Sequence, residues 1–212
     1  MTQELDKLID RITNRHQAAH WLYFRRFLKH PARLASLTPS SPALGRLVTQ
    51  EVRREGDEYV VELGCGTGAI TRALLDGGIP PERLIAVDLD AELLSVLRED
   101  FPDIWALECD AARITQHLPP SVVGKVGTVI CGIPISLLPR RQQRLIVDEM
   151  VALMPPGRRF LAYTHRPVSP LPRRELGLRG ERLAHTLRNL PPASVWGYAP
   201  LPPGQTARQQ SA

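Results

Sequence analysis

The stretch Tyr59-Val-Val-Glu-Leu-Gly-Cys-Gly-Thr-Gly68 decides the reading of this chain. Tyr59, Val60 and Val61 are β-prone, and with Glu62 and Leu63 they read as a buried strand. Glycines follow at alternate positions, Gly64, Gly66 and Gly68, and then Ala69-Ile-Thr-Arg-Ala-Leu-Leu75 reads as a helix. A strand that turns into a helix through glycines lets the backbone approach a ligand closely, with the helix N–H groups facing it. The spacing is G-x-G-x-G and differs from the G-x-G-x-x-G of a dinucleotide pyrophosphate site.

Working downstream, strands and helices alternate. Leu84–Asp88, Ile104–Glu108, Gly127–Cys131 and Arg159–Thr164 read as strands, and Ala91–Phe101 and Arg140–Met154 as helices. Residues 181–190 and 193–199, split by Pro191-Pro192, read as a final hairpin-like pair. The pattern predicts an α/β domain built on a doubly wound sheet, mostly parallel with an antiparallel last strand. Ligands of such sheets sit outside the carboxyl ends of the strands. The glycine stretch, Asp88, Asp110 and Cys131-Gly-Ile-Pro134 all fall there.

Upstream, residues 3–30 read as helix, with Leu5, Leu8, Ile9 and Ile12 at helical spacing and Trp21, Phe24 and Leu28 extending the stripe beside Phe27. Arg25, Arg26 and Lys29 lie among the aromatic residues. Two uses suit such a helix: an interfacial membrane anchor, or a stripe packed on the domain with a solvated basic face. Pro31 ends it. Ala43–Val52 reads as a second helix, with Ser40 and Ser41 placed either to cap it or to line the mouth of a ligand site. Domain boundaries are expected at 1–50 for the basic amphipathic helices, which would form a lid, at 51–201 for the sheet domain, and at 202–212 for a polar, disordered tail.

At 212 residues the chain is long enough for one substantial core. Residues 1–50 carry eight Lys or Arg against three acids, which accounts for the whole formal charge of +5. That asymmetry points to an anionic surface, lipid or nucleic acid. Cys65, Cys109 and Cys131 are too few and too scattered for a disulfide framework or a zinc site, as befits a reducing cytosol. No run of about 18 apolar residues and no signal-peptide pattern appears, so neither a membrane span nor export is expected.

Asp88 stands 24 residues after Gly64, where a carboxylate can accept both hydroxyls of a ribose; Asp90 is the better placed of the two to cap the next helix. Asp110 can accept from an adenine amino group or cap a helix over Ala111-Ala112. Tyr163 or His165 can take a proton or hold an ammonium, and Arg166 can bind a phosphate; a proline-rich loop that satisfies its own polar groups is the alternative.

Glu62 two residues before the first glycine, with G-x-G-x-G after it, resembles motif I of the class I S-adenosylmethionine (AdoMet) methyltransferases. In such a fold Cys131-Gly132-Ile133-Pro134-Ile135 faces the target atom. Enzymes that methylate base amines usually carry Asn-(Pro or Leu)-Pro-aromatic here, the Asn accepting from the amine and the ring stacking the flipped base. This chain has neither, so a nucleic-acid target is disfavoured and Gly132, Ile133 and Pro134 suit an amine on an apolar scaffold. Further pieces narrow the resemblance: Phe24 and Phe27, Pro39-Ser-Ser41, Pro81-Glu-Arg-Leu-Ile-Ala-Val87, Arg166-Pro-Val-Ser-Pro170 and Asn189-Leu-Pro-Pro-Ala193. Together they resemble the small, peripheral bacterial phosphatidylethanolamine N-methyltransferases over roughly residues 20–200. The resemblance departs at Asp88, where Glu is usual, and at Thr164-His-Arg166, where the family pattern is nearer Tyr-Gly.

The resemblance implies conversion of phosphatidylethanolamine through its mono- and dimethyl forms to phosphatidylcholine, releasing S-adenosylhomocysteine and using no metal. The implied cofactor set is Ser40, Ser41, Glu62, Gly64, Cys65, Gly66, Thr67, Gly68, Asp88, Leu89, Asp110, Ala111 and Cys131. Tyr163 and His165 are the catalytic candidates, and Gly132, Ile133, Pro134 and Arg166 the substrate-binding ones. Trp21, Phe24, Arg25, Arg26, Phe27, Leu28 and Lys29 would dock a monomer on anionic lipid at the cytoplasmic face of the cell membrane. The alternative is an enzyme like the rRNA adenine N6-methyltransferases.

Overall fold

A computed structural model describes residues 41–202, all within a compact unit that begins at Pro39. The expected N-terminal helix, with Trp21, Phe24, Arg25, Arg26, Phe27, Leu28 and Lys29, lies outside the described residues, as do Ser40 and nearly all of the expected tail.

The first described helix, α1, spans Pro42–Glu51. Strand β1 (Tyr59–Leu63) leads through the glycines into α2 (Ala69–Asp76). Then follow β2 (Leu84–Asp88), α3 (Ala91–Asp100), β3 (Trp105–Glu108) and β4 (Val126–Cys131). The chain continues through α4 (Arg140–Leu153), β5 (Phe160–Thr164), a four-residue α5 (Arg173–Leu176), β6 (Leu178–Thr186) and β7 (Ala193–Pro200). The strands form one sheet in the order β3-β2-β1-β4-β5-β7-β6. The pairs from β3 through β5 are parallel, and β7 runs antiparallel to both β5 and β6. This is the expected architecture, with strand ends within a residue or two of the sequence reading except at β6, which starts earlier and stops short of the turn.

Alternation along each strand feeds two cores. Val60, Leu84, Ala86, Ile130 and Leu161 point to one face, under Leu44 and Val48 of α1, Ile70 and Leu74 of α2, and Leu94 and Leu97 of α3. Val61, Ile85, Val87, Val129, Phe160 and Ala162 point to the other, under Ile146, Val147 and Met150 of α4. Strands covered on both faces must be apolar at nearly every position, and these are. Leu44 and Val48 are fully buried, so α1 is part of the domain's packing and extends it upstream of the boundary expected at residue 51.

Strand order reverses direction between β1 and β4, the place where doubly wound sheets open a crevice. Leu63, the last residue of β1, stands in register with Val87 on one side and Cys131 on the other. The loops after β1, β2 and β4 therefore leave the sheet side by side.

Candidate active site

The loop after β1 is bound to its neighbours by backbone. Gly64 and Cys65 donate to the Val87 carbonyl at 2.8 and 3.1 Å, and Gly132 donates to the Leu63 carbonyl at 2.8 Å. Gly64 has φ +76°, and a Cβ there would stand 3.0–3.1 Å from Cγ1 and the backbone nitrogen of Ile133. Only glycine allows both that conformation and that closeness. Gly66 has φ +53°, yet a Cβ on it would meet nothing within 4 Å. The space above Gly66 is open, as a ligand lying across the loop requires.

Two acids sit beneath this loop. Glu62 is buried and accepts a 2.6 Å hydrogen bond from the Thr71 hydroxyl on α2. Burial pushes its carboxyl up to about 8, against the Thr71 hydrogen bond, with a smaller push from neighbouring Asp88. Asp88 is also buried; its Oδ2 accepts from the Gly66 N–H at 2.9 Å and its Oδ1 from the Asp90 N–H at 3.1 Å. Burial raises its pKa and the N–H donors oppose the rise. Each Asp88 oxygen keeps an acceptor site beyond these bonds. Asp90 caps α3, accepting from Glu92 and Leu93. Asp110 accepts from the Ala112 N–H at 2.9 Å through Oδ1, so it caps the following 3-10 turn while its second oxygen can accept elsewhere.

Several of the expected side chains are buried in the cores or exposed at loop tips. The thiols of Cys65 and Cys131 are buried in the two opposite cores, and burial pushes both pKa values up, that of Cys131 to about 12. Both thiols point into the cores, which leaves the backbone of these residues at the crevice. Ala111 is buried in the core as well. Thr67 and Leu89 are exposed at the loop tips. Ser41 caps α1, its hydroxyl accepting from the Leu44 N–H, so the capping use of this serine is the one adopted.

On the other side of the crevice, Gly132 is squeezed. A Cβ on it would stand 2.9 Å from the Tyr163 hydroxyl oxygen and 2.9 Å from the Gly64 carbonyl oxygen. The Tyr163 hydroxyl, the loop after β1 and the loop after β4 thus converge on one point. Ile133 and Pro134 are half-buried there and Ile135 is buried. The Arg166 side chain is exposed and finds no hydrogen-bonding or ionic partner among the described residues; only its N–H is tied, to the Thr164 hydroxyl at 3.1 Å.

Asn189 was not anticipated as a site residue. It is buried in the β6–β7 turn, where Oδ1 accepts from the Ser41 N–H at 3.1 Å and Nδ2 donates to the Pro191 carbonyl at 2.7 Å. Those two backbone partners fix which end of the amide is which. Nδ2 also lies 3.3 Å from Nδ1 of His165, an arrangement in which that nitrogen accepts when the ring hydrogen is on Nε2. The signal in the sequence was a short polar side chain two residues before a pair of prolines.

The acids and the open space over Gly66 fit a positively charged nucleoside such as AdoMet: a buried carboxyl for an ammonium, a second for ribose hydroxyls, and no basic residue placed for phosphate in the loop. No group of three or more His, Cys, Asp or Glu suited to a metal occurs among the described residues. Residues 60–157 match a family model described as a methyltransferase domain. The chain is 32% identical to an ornithine lipid N-methyltransferase of Singulisphaera acidiphila over 69% of this chain and 78% of that relative. It is 30% identical to the ribosomal RNA small subunit methyltransferase A of Prosthecochloris aestuarii over 51% of this chain and only 44% of that one. Among solved structures it resembles TrmN from Thermus thermophilus, with TM-score 0.57 and 21% identity over 79% of this chain and 51% of that one. It also resembles a TehB-like SAM-dependent methyltransferase from Corynebacterium glutamicum, with TM-score 0.54 and 14% identity over 89% of this chain and all of that one. The chain belongs to the class I AdoMet-dependent methyltransferases, the family of its ornithine lipid N-methyltransferase relative.

Proposed function

We propose that this enzyme methylates the amine of phosphatidylethanolamine and then of its mono- and dimethyl derivatives, leading to phosphatidylcholine. The observation that carries the reading is the apolar Gly132-Ile133-Pro134 loop against the Tyr163 hydroxyl, where a base-methylating enzyme would need an amide and a ring. The lipid-methylating relative, which this chain covers far more fully than it does the ribosomal RNA relatives, supports an aminolipid substrate.

Bound AdoMet supplies a sulfonium-activated methyl group. Glu62 would hold the methionine ammonium, Asp88 the ribose hydroxyls and Asp110 the adenine amine, with Gly66 giving room while Gly64 and Gly68 let the loop pack on Ile133, Leu97 and Phe101. The lipid amine, with a pKa of about 10 like that of lysine, arrives protonated. Ile133 and Pro134 desolvate it and so favour the neutral amine. Water takes the proton, and the Tyr163 hydroxyl oxygen accepts a hydrogen bond from the amine. The Nε2–H of His165 and the guanidinium of Arg166 hold the lipid phosphate. With those anchors set, alignment of the amine is the chief remaining contribution of the chain. The enzyme would act as a monomer on the cytoplasmic face of the membrane; no described helix is long and apolar enough to cross it.

The test is incubation with labelled AdoMet and vesicles of phosphatidylethanolamine and phosphatidylglycerol, with lipids separated by chromatography. Labelled mono-, di- and trimethylated lipid supports the reading. Label in ornithine lipid alone, or in ribosomal RNA alone, refutes it.

A further inference from the structure

Most large apolar side chains of the described residues are covered, but Leu187 is 80% exposed, Leu190 85% and Val168 54%. All three lie in two loops at one end of the sheet. Leu187 and Leu190 belong to the β6–β7 turn, and Val168 to the loop after β5, whose last residue, Thr164, is in register with Ser194 near the start of β7. Buried Asn189 ties one loop to the other through His165. Ser169 anchors the base of the second loop, its hydroxyl 2.7 Å from that of Tyr198. These exposed side chains therefore stand on braced loops beside the Tyr163 and Gly132 end of the crevice.

The charge around them has one sign. Residues 165–172 and 185–192 contain no Asp or Glu, and they contain Arg166, Arg188, His165 and His185. Neither Arg166 nor Arg188 has a side-chain ion pair among the described residues, and both are exposed. Apolar tips flanked by unpaired arginines suit the head-group boundary of an anionic bilayer, where the tips leave water and the arginines meet phosphate. A nucleic-acid backbone would use the arginines and leave the leucines in water.

We propose that the loop tips Arg166–Val168 and Leu187–Leu190 form a second docking surface, within the catalytic domain, that seats the crevice mouth on anionic lipid. The inference rests on the aminolipid reading for its choice of surface. It brings the mouth to the plane where a lipid amine lies, independently of the N-terminal helix.

The test uses the full chain with Leu190→Cys carrying an environment-sensitive dye; Cys65, Cys109 and Cys131 are buried and stay unlabelled. Phosphatidylethanolamine–phosphatidylglycerol vesicles should shift the dye emission to the blue. In co-sedimentation, Leu187→Ser/Leu190→Ser should weaken vesicle binding roughly tenfold, and Arg188→Glu by a similar factor at low salt only. AdoMet binding should be unchanged in both variants. An unshifted dye, or vesicle binding by the leucine variant equal to wild type, overturns the proposal; so does a dye that responds to RNA and not to vesicles. The two readings fail separately. Dye insertion without methylated lipid retains the surface and refutes the substrate, while methylated lipid without insertion does the reverse.

Discussion

Glu62 offers a test of the site's electrostatics in the absence of any ligand. Its carboxyl is pushed up from 4.5 to about 8 in the folded protein, so near neutral pH the folded form keeps a proton that the unfolded chain has lost. Stability from this group is complete below about pH 4.5 and falls as pH rises toward 8. At pH 7 the cost is 2.3RT times the interval from 4.5, about 3 kcal/mol. Glu62→Gln removes that dependence, since the amide oxygen still accepts from Thr71. The added N–H group, lacking a partner, costs about 1–3 kcal/mol, so the two proteins should be of similar stability near neutral pH. The diagnostic is the slope: the variant should gain on wild type by about 1.4 kcal/mol per pH unit between pH 5 and 8. Urea denaturation across that range measures it. Parallel stability curves would refute the assignment of a buried, protonated Glu62. AdoMet affinity should fall in the same variant, because an amide holds an ammonium less well than a carboxylate.

Two further outcomes follow from the same geometry. AdoMet binding should release a proton near neutral pH, as Glu62 ionises against the ligand's ammonium, so affinity should rise with pH up to about 8; calorimetry in buffers of different ionisation enthalpy reads the proton count, and zero would contradict the pairing. Asn189→Leu strands the Ser41 N–H and the Pro191 carbonyl, which should cost about 2–4 kcal/mol in denaturant unfolding; a loss under about 1 kcal/mol would show that water takes over those partners.

The fold was legible because its signals are local. Every parallel strand is a short apolar run bounded by turn residues, and the caps at Ser41 and Asp90 are one-residue signals. Glu62 and Asp88 were legible because the strand ends place them beside the glycine loop. The burial of the Cys131 thiol was not, because pleat direction decides it: Cys131 shares a face with Val129 and points into the core, although it ends a strand at the crevice. Asn189 was quoted as part of a motif but its use was hidden, since its partners Ser41 and His165 lie 148 and 24 residues away. Thr71 was hidden for a related reason, as only the packing of α2 on β1 turns its hydroxyl toward Glu62.

The excess charge upstream of residue 51 marks one basic element, whereas the remainder balances to zero. Acids elsewhere offset Arg166 and Arg188 in any sum, and only the structure shows that both are exposed, without a side-chain ion pair among the described residues, on loops at one end of the sheet.

The measurement that tests the account most directly is transfer of labelled methyl from AdoMet to vesicles of phosphatidylethanolamine and phosphatidylglycerol, with ornithine lipid and ribosomal RNA as parallel substrates. The account predicts label in the methylated phosphatidylethanolamine series, lost in Asp88→Asn together with AdoMet binding. Label confined to ornithine lipid or to RNA, with AdoMet bound normally, would contradict it.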